Sequence, residues 1–255
     1  MSWASRRRFT YLASIFGIVA ILVSIPLAMW YYEPATCFDG VQNQGETAID
    51  RSGPCQLLDP RALSPHTILW ARAFSTRSGM HNAVAYVENP NGTAGVARAP
   101  YRFRLYDERN VLVAEKEGST FVMPGTITPV FVGAVDTGNR AVIRAHFEFT
   151  APLVWERMYD TTKPIVVVSK EMKDANAAPR LVAVIENTSV ESFRDIQFVA
   201  SVYDTVGNAF AGSSTVVPIL EDGERREITF TWPERFEYQP GRIDVTPVLE
   251  PSYTE

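Results

Sequence analysis

Histidine is scarce in this chain: three residues in 255, at His66, His81 and His146, each alone in sequence. No H-x-x-x-H or C-x-x-C spacing occurs, so a transition-metal centre has no local ligand set. A G-x-S-x-G elbow and a glycine-rich phosphate loop are also missing, which removes the usual marks of a serine hydrolase or a nucleotide site. Adjacent carboxylates such as Glu221-Asp222 fall in the polar segment LEDGERRE and read as a solvated turn. The chain carries no constellation from which to build an enzyme. Base is in short supply too. Arg6, Arg7 and Arg8 are three of the 24 basic residues, which leaves 21 against 29 acids in everything after them, a net of −8. Such a field repels nucleic acid and anionic lipid, and a nucleic-acid partner is not expected.

Charge of either sign is absent between Arg8 and Glu33, over 24 residues centred on YLASIFGIVAILVSIPLAMWYY. At about 1.5 Å per helical residue that run covers a hydrocarbon core of roughly 30 Å. It is longer than a usual signal-peptide core and no A-x-A site follows, so an uncleaved signal anchor is expected rather than a cleaved leader. The triple arginine belongs on the cytoplasmic side, with the C-terminus outside. Trp30, Tyr31 and Tyr32 stand where the outer headgroups begin. The expected address is the plasma membrane, single-pass, contacted through residues 9–32, with residues 1–8 as a cytoplasmic tail.

Only two cysteines exist, Cys37 and Cys55, both just past the apolar run. They read as a disulfide or as two free thiols, and an oxidising compartment favours the bridge, whose loop closure stabilises by about 3 kcal/mol. Between them Asp39, Asn43, Glu46 and Asp50 bring oxygen-bearing side chains, while Gly40 and Gly45 argue against a helix and for a compact loop. Hard oxygen ligands suit Ca²⁺. The competing reading is that Asp, Asn and Gly are ordinary turn formers.

The loop resembles the element C-x-D-G-x-x-N-x-x-E-x-x-x-D-C-G-G-x-C of exported and cell-surface proteins. Cys37, Asp39, Gly40, Asn43, Glu46, Asp50, Gly53 and Cys55 stand in register with it, while Arg51 and Ser52 replace a cysteine and a glycine. The resemblance implies a structural Ca²⁺ knot held by Asp39, Asn43, Glu46 and Asp50.

After a turn-rich stretch, QLLDPRALSPHT, expected to be a linker, come short alternating runs bounded by turn residues: ILWARAF, AVAYVEN, YRFRLYD, VLVAEKE, PVFVGAV and VIRAHFEF. In YRFRLYD, Tyr101, Phe103 and Leu105 point one way while Arg102, Arg104 and Tyr106 point the other, the period of a half-buried strand. The second half repeats the first. LVAVIEN at 181–187 answers AVAYVEN at 83–89, FVASVYD at 198–204 answers YRFRLYD at 101–107, and Asp222-Gly223 answers Pro124-Gly125. The nearly constant offset marks a duplicated domain. The expected fold is mainly β: an N-terminal transmembrane helix and two tandem immunoglobulin-like sandwiches. Its segments are a disulfide loop and linker over 33–64, repeats over 65–156 and 157–255, and a joint whose Trp155 and Tyr159 pack one repeat on the other. Asn91-Gly92-Thr93 and Asn187-Thr188-Ser189 satisfy the glycan acceptor pattern.

These repeats resemble the F-x-L-Y-D family of bacterial surface modules, in full through Phe103, Leu105, Tyr106 and Asp107, and loosely through Phe198, Val202, Tyr203 and Asp204. Val87 with Asn89, and Ile185 with Asn187, match the V-x-N element before it. The resemblance implies sandwiches that bind or space rather than catalyse. The expected function is therefore a membrane-anchored extracytoplasmic binding, adhesion or structural module with an envelope or cell-surface protein partner. The alternative is an accessory subunit of a membrane-bound secretion or enzyme complex.

Overall fold

The computed structural model describes residues 3–31, 36–138 and 140–253. Tyr32, expected to close an aromatic belt, lies outside them. The chain forms two compact units, Met1–Pro54 and Cys55–Glu255.

In the first unit a helix, α1 (Trp3–Tyr31), contains an apolar stretch, Phe9–Leu27, long enough to cross a membrane and with none of its side chains buried in protein. Soluble helices hide one stripe; this one presents Phe9, Leu12, Phe16, Ile18, Leu22 and Val23 on all sides, as lipid contact requires. The loop that follows is irregular, as Gly40 and Gly45 with φ of 70° and 81° dictate.

In the second unit each half pairs a three-stranded antiparallel sheet with a second antiparallel sheet, which in the first half is extended to five strands by two short ones. The first half has β1 (Thr67–Arg77), β2 (Met80–Glu88), β3 (Ala94–Tyr106), β4 (Leu112–Val122), β5 (Ile127–Asp136) and β6 (Arg144–Phe149). One sheet runs β1-β2-β5, and in the other β3 pairs β4 on one side and β6 on the other. A short strand, β7 (Glu156–Tyr159), pairs the start of β3, and the second half follows as β8 (Ile165–Lys173), β9 (Arg180–Asn187), β10 (Phe193–Tyr203), β11 (Ala209–Leu220), β12 (Arg225–Thr231) and β13 (Arg242–Val248). Its sheets are β8-β9-β12 and β11-β10-β13, strand for strand the arrangement of the first half. The last pair, β14 (Ser252–Tyr253), returns to β7.

Each sandwich has its own core. Ala83, Ala85 and Val87 of β2 face Phe103, Leu105 and Phe147 in the first, while Leu181, Ala183 and Ile185 of β9, with Phe230 beside Leu181 in their own sheet, face Phe198 and Ile196 of β10 in the second. A third cluster joins them: Phe74, Val84 and Tyr86 meet Val199, Tyr203, Ala209 and Val248. Hence β2 and β10 are covered on both faces, and the four sheets form one stack in which β1-β2-β5 packs on β11-β10-β13.

Two expectations change here. Trp155 is a core residue of the first sandwich, beside His66 at 6.0 Å, and Tyr159 is half exposed, so neither makes the joint between repeats. The joint is a sheet face. The stretch read as a linker is pinned rather than loose: Leu58 is buried, its N–H donates to the Trp155 carbonyl, and the Gln56 carbonyl accepts from Arg157 N–H.

Candidate functional site

Cys37 and Cys55 are disulfide-bonded, and no free cysteine remains. The four residues proposed to hold Ca²⁺ serve the backbone of the loop they stand in. Asp39 accepts from the N–H groups of Thr36 and Val41 and from Asn43 Nδ2, at 2.8–3.0 Å. These bonds, that from Thr36 first, hold its pKa below the ordinary carboxylate value. Glu46 Oε2 accepts from Asn43 and Asp50 N–H, both at 3.2 Å, and Asp50 accepts from Gly40 N–H. The pattern is that of turn-forming Asx bonds. One atom stands apart from it: Asn43 Oδ1 is buried with no hydrogen-bond partner. The carboxylates do not gather round one point: among the described residues, the group of His, Cys, Asp or Glu side chains whose ligand atoms lie within 4.8 Å of one another is Cys37, Glu46 and Cys55, and its two sulfurs are bonded to each other. Ser52, which replaces a glycine of the cysteine-loop pattern, keeps the left-handed backbone that glycine favours, at φ 63°. At Gly53, also left-handed, an added Cβ would lie 3.1 Å from the Gln44 carbonyl oxygen.

The F-x-L-Y-D strand is structural in both copies. Tyr101, Phe103 and Leu105 are buried, and Asp107 turns the chain by accepting from Arg109 and Val111 N–H at 3.0 and 2.9 Å. Asp204 does the same with Val206 and Asn208 N–H at 3.0 and 2.8 Å. The N–H donors, Val111 and Asn208 first, hold both carboxyls below their ordinary range. The V-x-N asparagines are fully enclosed. Asn89 donates to the Ala94 and Met123 carbonyls at 2.6 and 2.9 Å, and Asn187 to Glu191 and Glu221 at 2.6 and 2.9 Å. Each ties the end of one strand to the loop beyond it and to the facing sheet. Asn187 has no accessible surface, so its acceptor triplet cannot take a glycan, and Asn91 is bound through Nδ2 to the Ser64 carbonyl.

The face between the sandwiches is aromatic and specifically bonded. Trp70 stacks on Tyr86 at 4.5 Å and meets Tyr203 edge-on at 6.3 Å, while Arg242 lies 4.0 Å over the Tyr203 ring. Tyr86 OH donates to Ser201 Oγ at 3.0 Å, Arg72 to the Ala209 carbonyl at 2.7 Å and Asn82 to that of Gly212 at 3.0 Å. Burial pushes the Tyr86 phenol well above its ordinary pKa. Gly212 permits the closest approach, since a Cβ there would lie 2.9 Å from Val84 Cγ2 and 3.0 Å from Phe74 Cδ2.

The opposite face of the first sandwich is a charge ladder, with Arg104 on Glu115 and Glu148 at 3.0 Å each and Arg102 on Glu117. The histidines lie apart: His66 against Phe149, His81 bonded to Thr137 Oγ1 at 3.0 Å, and His146 near Glu148. Sequence reasoning missed the cluster of Phe210, Trp232, Phe236 and Tyr238 at one end of the second sandwich, where Trp232 Nε1 is buried without a partner. An unmade bond of that kind costs about 1–3 kcal/mol. The signal was available as WPERFEYQP, three aromatic residues within a single connection.

No family model matches the chain, and no curated protein matches it. Among solved structures it is similar to a red sea bream transglutaminase, at 10% identity and a TM-score of 0.23, covering 74% of this chain and 32% of that one. It is also similar to a β-glucuronidase from glycoside hydrolase family 2, at 12% identity and a TM-score of 0.22, covering 69% of this chain and 21% of that one. The chain thus spans about a third and a fifth of those two proteins. The sandwich architecture rests on the strand pairing itself.

Proposed function

We propose that this chain is a single-pass membrane protein that holds a two-sandwich body outside the cytoplasm as a binding or structural module without catalysis. The observation that carries the reading is the apolar stretch Phe9–Leu27, unburied in protein, followed along the chain by a disulfide and by two sandwiches fused through a common aromatic face. An unburied helix of that length asks for lipid, a disulfide asks for an oxidising compartment, and a fused body presents fixed surfaces to a partner. The resemblance to F-x-L-Y-D surface modules points the same way, and the triple arginine orients the N-terminus inward. The partner is an envelope or cell-surface protein. Structural Ca²⁺ in the Cys37–Cys55 loop belongs to the same proposal on one observation, the orphaned Asn43 Oδ1, and against carboxylates that do not converge.

The test is alkaline carbonate washing of membranes followed by crosslinking in their native state. Retention in the pellet together with capture of an envelope protein supports the reading. Release into the wash, or a chain that crosslinks to nothing, contradicts it. A stable multi-subunit complex surviving mild detergent would shift it to the accessory-subunit alternative, in which Gly17 and Ala20 of α1 are small enough for close helix packing.

A further inference from the structure

Between Cys37 and Cys55 the usual sorting of side chains is reversed. The loop has three large apolar side chains, and all of them are exposed: Phe38 at 89%, Val41 at 57% and Ile49 at 56%. Its acids are tied to the backbone instead. Glu46 is buried, and the carboxylates of Asp39, Glu46 and Asp50 together accept from the N–H groups of Thr36, Gly40, Val41, Asn43 and Asp50. The disulfide closes the loop, and the bond from Gly40 N–H to the Asp50 carboxylate joins its two arms. Val41 follows Gly40 and Ile49 precedes Asp50, so the same bond brings those two exposed residues to adjacent arms, with Phe38 two positions before Gly40.

Chain length fixes what lies within reach. Phe38 stands seven residues past Tyr31, the end of α1, and at about 3.4 Å per residue it cannot be more than about 24 Å away from it. The apolar stretch of α1 stops at Leu27, about 6 Å of helix before Tyr31, so an anchored α1 holds Tyr31 at the outer headgroups. We propose that the Cys37–Cys55 loop seats Phe38, Val41 and Ile49 in the outer headgroup layer of the same bilayer, a second membrane contact beyond α1; the inference rests on the membrane-anchor reading. Loop backbone entering that layer loses water from its N–H groups, and the carboxylates already supply acceptors for five of them. Apolar side chains need to dip only about 5–10 Å to reach the acyl boundary. A loop tethered this close meets the surface at high effective concentration, so three such side chains are enough where a free peptide would not stay bound. Asp39, Glu46 and Asp50 against Arg51 leave residues 37–55 at −2, a charge that anionic lipid repels. The lipid that fits is therefore zwitterionic, and the contact is apolar rather than ionic.

The test uses the full chain in phosphatidylcholine nanodiscs, with a nitroxide label on one introduced cysteine at a time: Val41→Cys, Ile49→Cys, Phe16→Cys in α1, and Val190→Cys on the second sandwich. Peptide mapping first establishes that the Cys37–Cys55 bridge is intact in each. The readout is the ratio of collisions with oxygen, which concentrates in lipid, to collisions with a water-soluble nickel chelate. At positions 41 and 49 this ratio should be at least about threefold above that at 190. It should hold at about 0.5 M salt, since screening does not weaken an apolar contact. Phe38→Asp should bring the ratio at 49 down toward that at 190. Ratios at 41 and 49 equal to that at 190, a ratio that collapses in salt, or a label shielded from both reagents, as at a protein contact, each overturn the proposal. If the label at 16 then still reports lipid, the loop assignment falls and the anchor reading stands; if it too reports water, the anchor reading falls as well.

Discussion

Asn89 and Asn187 show how a signature residue acquires its reason only in three dimensions. In sequence each is a turn former at the end of an apolar run; in the structure each is an enclosed amide bonding carbonyls that come from different elements. Those carbonyls are as far as 34 residues away in the chain, so nothing local could show the role. Removing this buried amide takes the donor from at least two carbonyls at once, so Asn187→Ala should lower stability by about 1–3 kcal/mol, against less than about 0.5 for the exposed Asn176→Ala. Denaturant melts of the two variants check this. Asp107 and Asp204 were legible, because an aspartate that opens a hairpin bonds N–H groups two and four positions on and needs no distant partner. The histidines add a pH dependence. Burial holds the folded pKa of His66 and His81 below the ordinary 6.5. Below that pH the unfolded chain binds protons the folded chain refuses, so their contribution is whole above about pH 6.5 and is lost as pH falls toward the folded values. Melting temperature measured from pH 7.5 to 5 should decline below 6.5, and His81→Gln should flatten part of the slope. A flat profile in the parent protein would contradict the assignment.

At the scale of elements, the alternation of apolar and polar residues was enough to place the strands, and the repeat offset enough to pair the halves. The joint was not found, although its trace lay in the comparison of copies. Arg102 and Arg104, on the outer face of β3, have Val199 and Ser201 as counterparts on β10. The first pair faces water and glutamates; the second packs against the other sandwich. A charged position that turns uncharged in a duplicate marks a face that has been covered. Trp155 misled for the ordinary reason that a large aromatic in a connecting segment packs equally well on either neighbour. Gly212 tests the joint directly. A valine there must displace Val84 and Phe74, and should cost about 1–3 kcal/mol as overpacking. Gly92→Ala, with open space around its Cβ, should stay within about 0.5 kcal/mol. Equal melting of the two variants would argue that the sandwiches are not tightly joined.

For the molecule as a whole, the apolar helix and the two halves are plain in the sequence, since an uncharged run and a repeat are both patterns of order along the chain. It could not announce the fused stack, which depends on which faces meet, nor settle the cysteine loop, where carboxylates that cap N–H groups and carboxylates that ligate an ion have the same letters. Calcium should decide the latter. If the loop holds the ion, adding Ca²⁺ should raise the melting temperature of the full chain, chelator should reverse it, and Asp50→Ala should abolish the difference; melting indifferent to both reagents removes the metal from the account. Topology, however, carries more of the functional reading than any ligand does. Val190 is 91% exposed and both native cysteines are disulfide-bonded, so Val190→Cys supplies one reactive thiol on the second sandwich. Labelling of this variant with a membrane-impermeant maleimide in sealed cells or spheroplasts is the most direct measurement. The proposed orientation predicts full modification without permeabilisation, whereas a thiol that reacts only after the membrane is breached would place the sandwiches in the cytoplasm and contradict it.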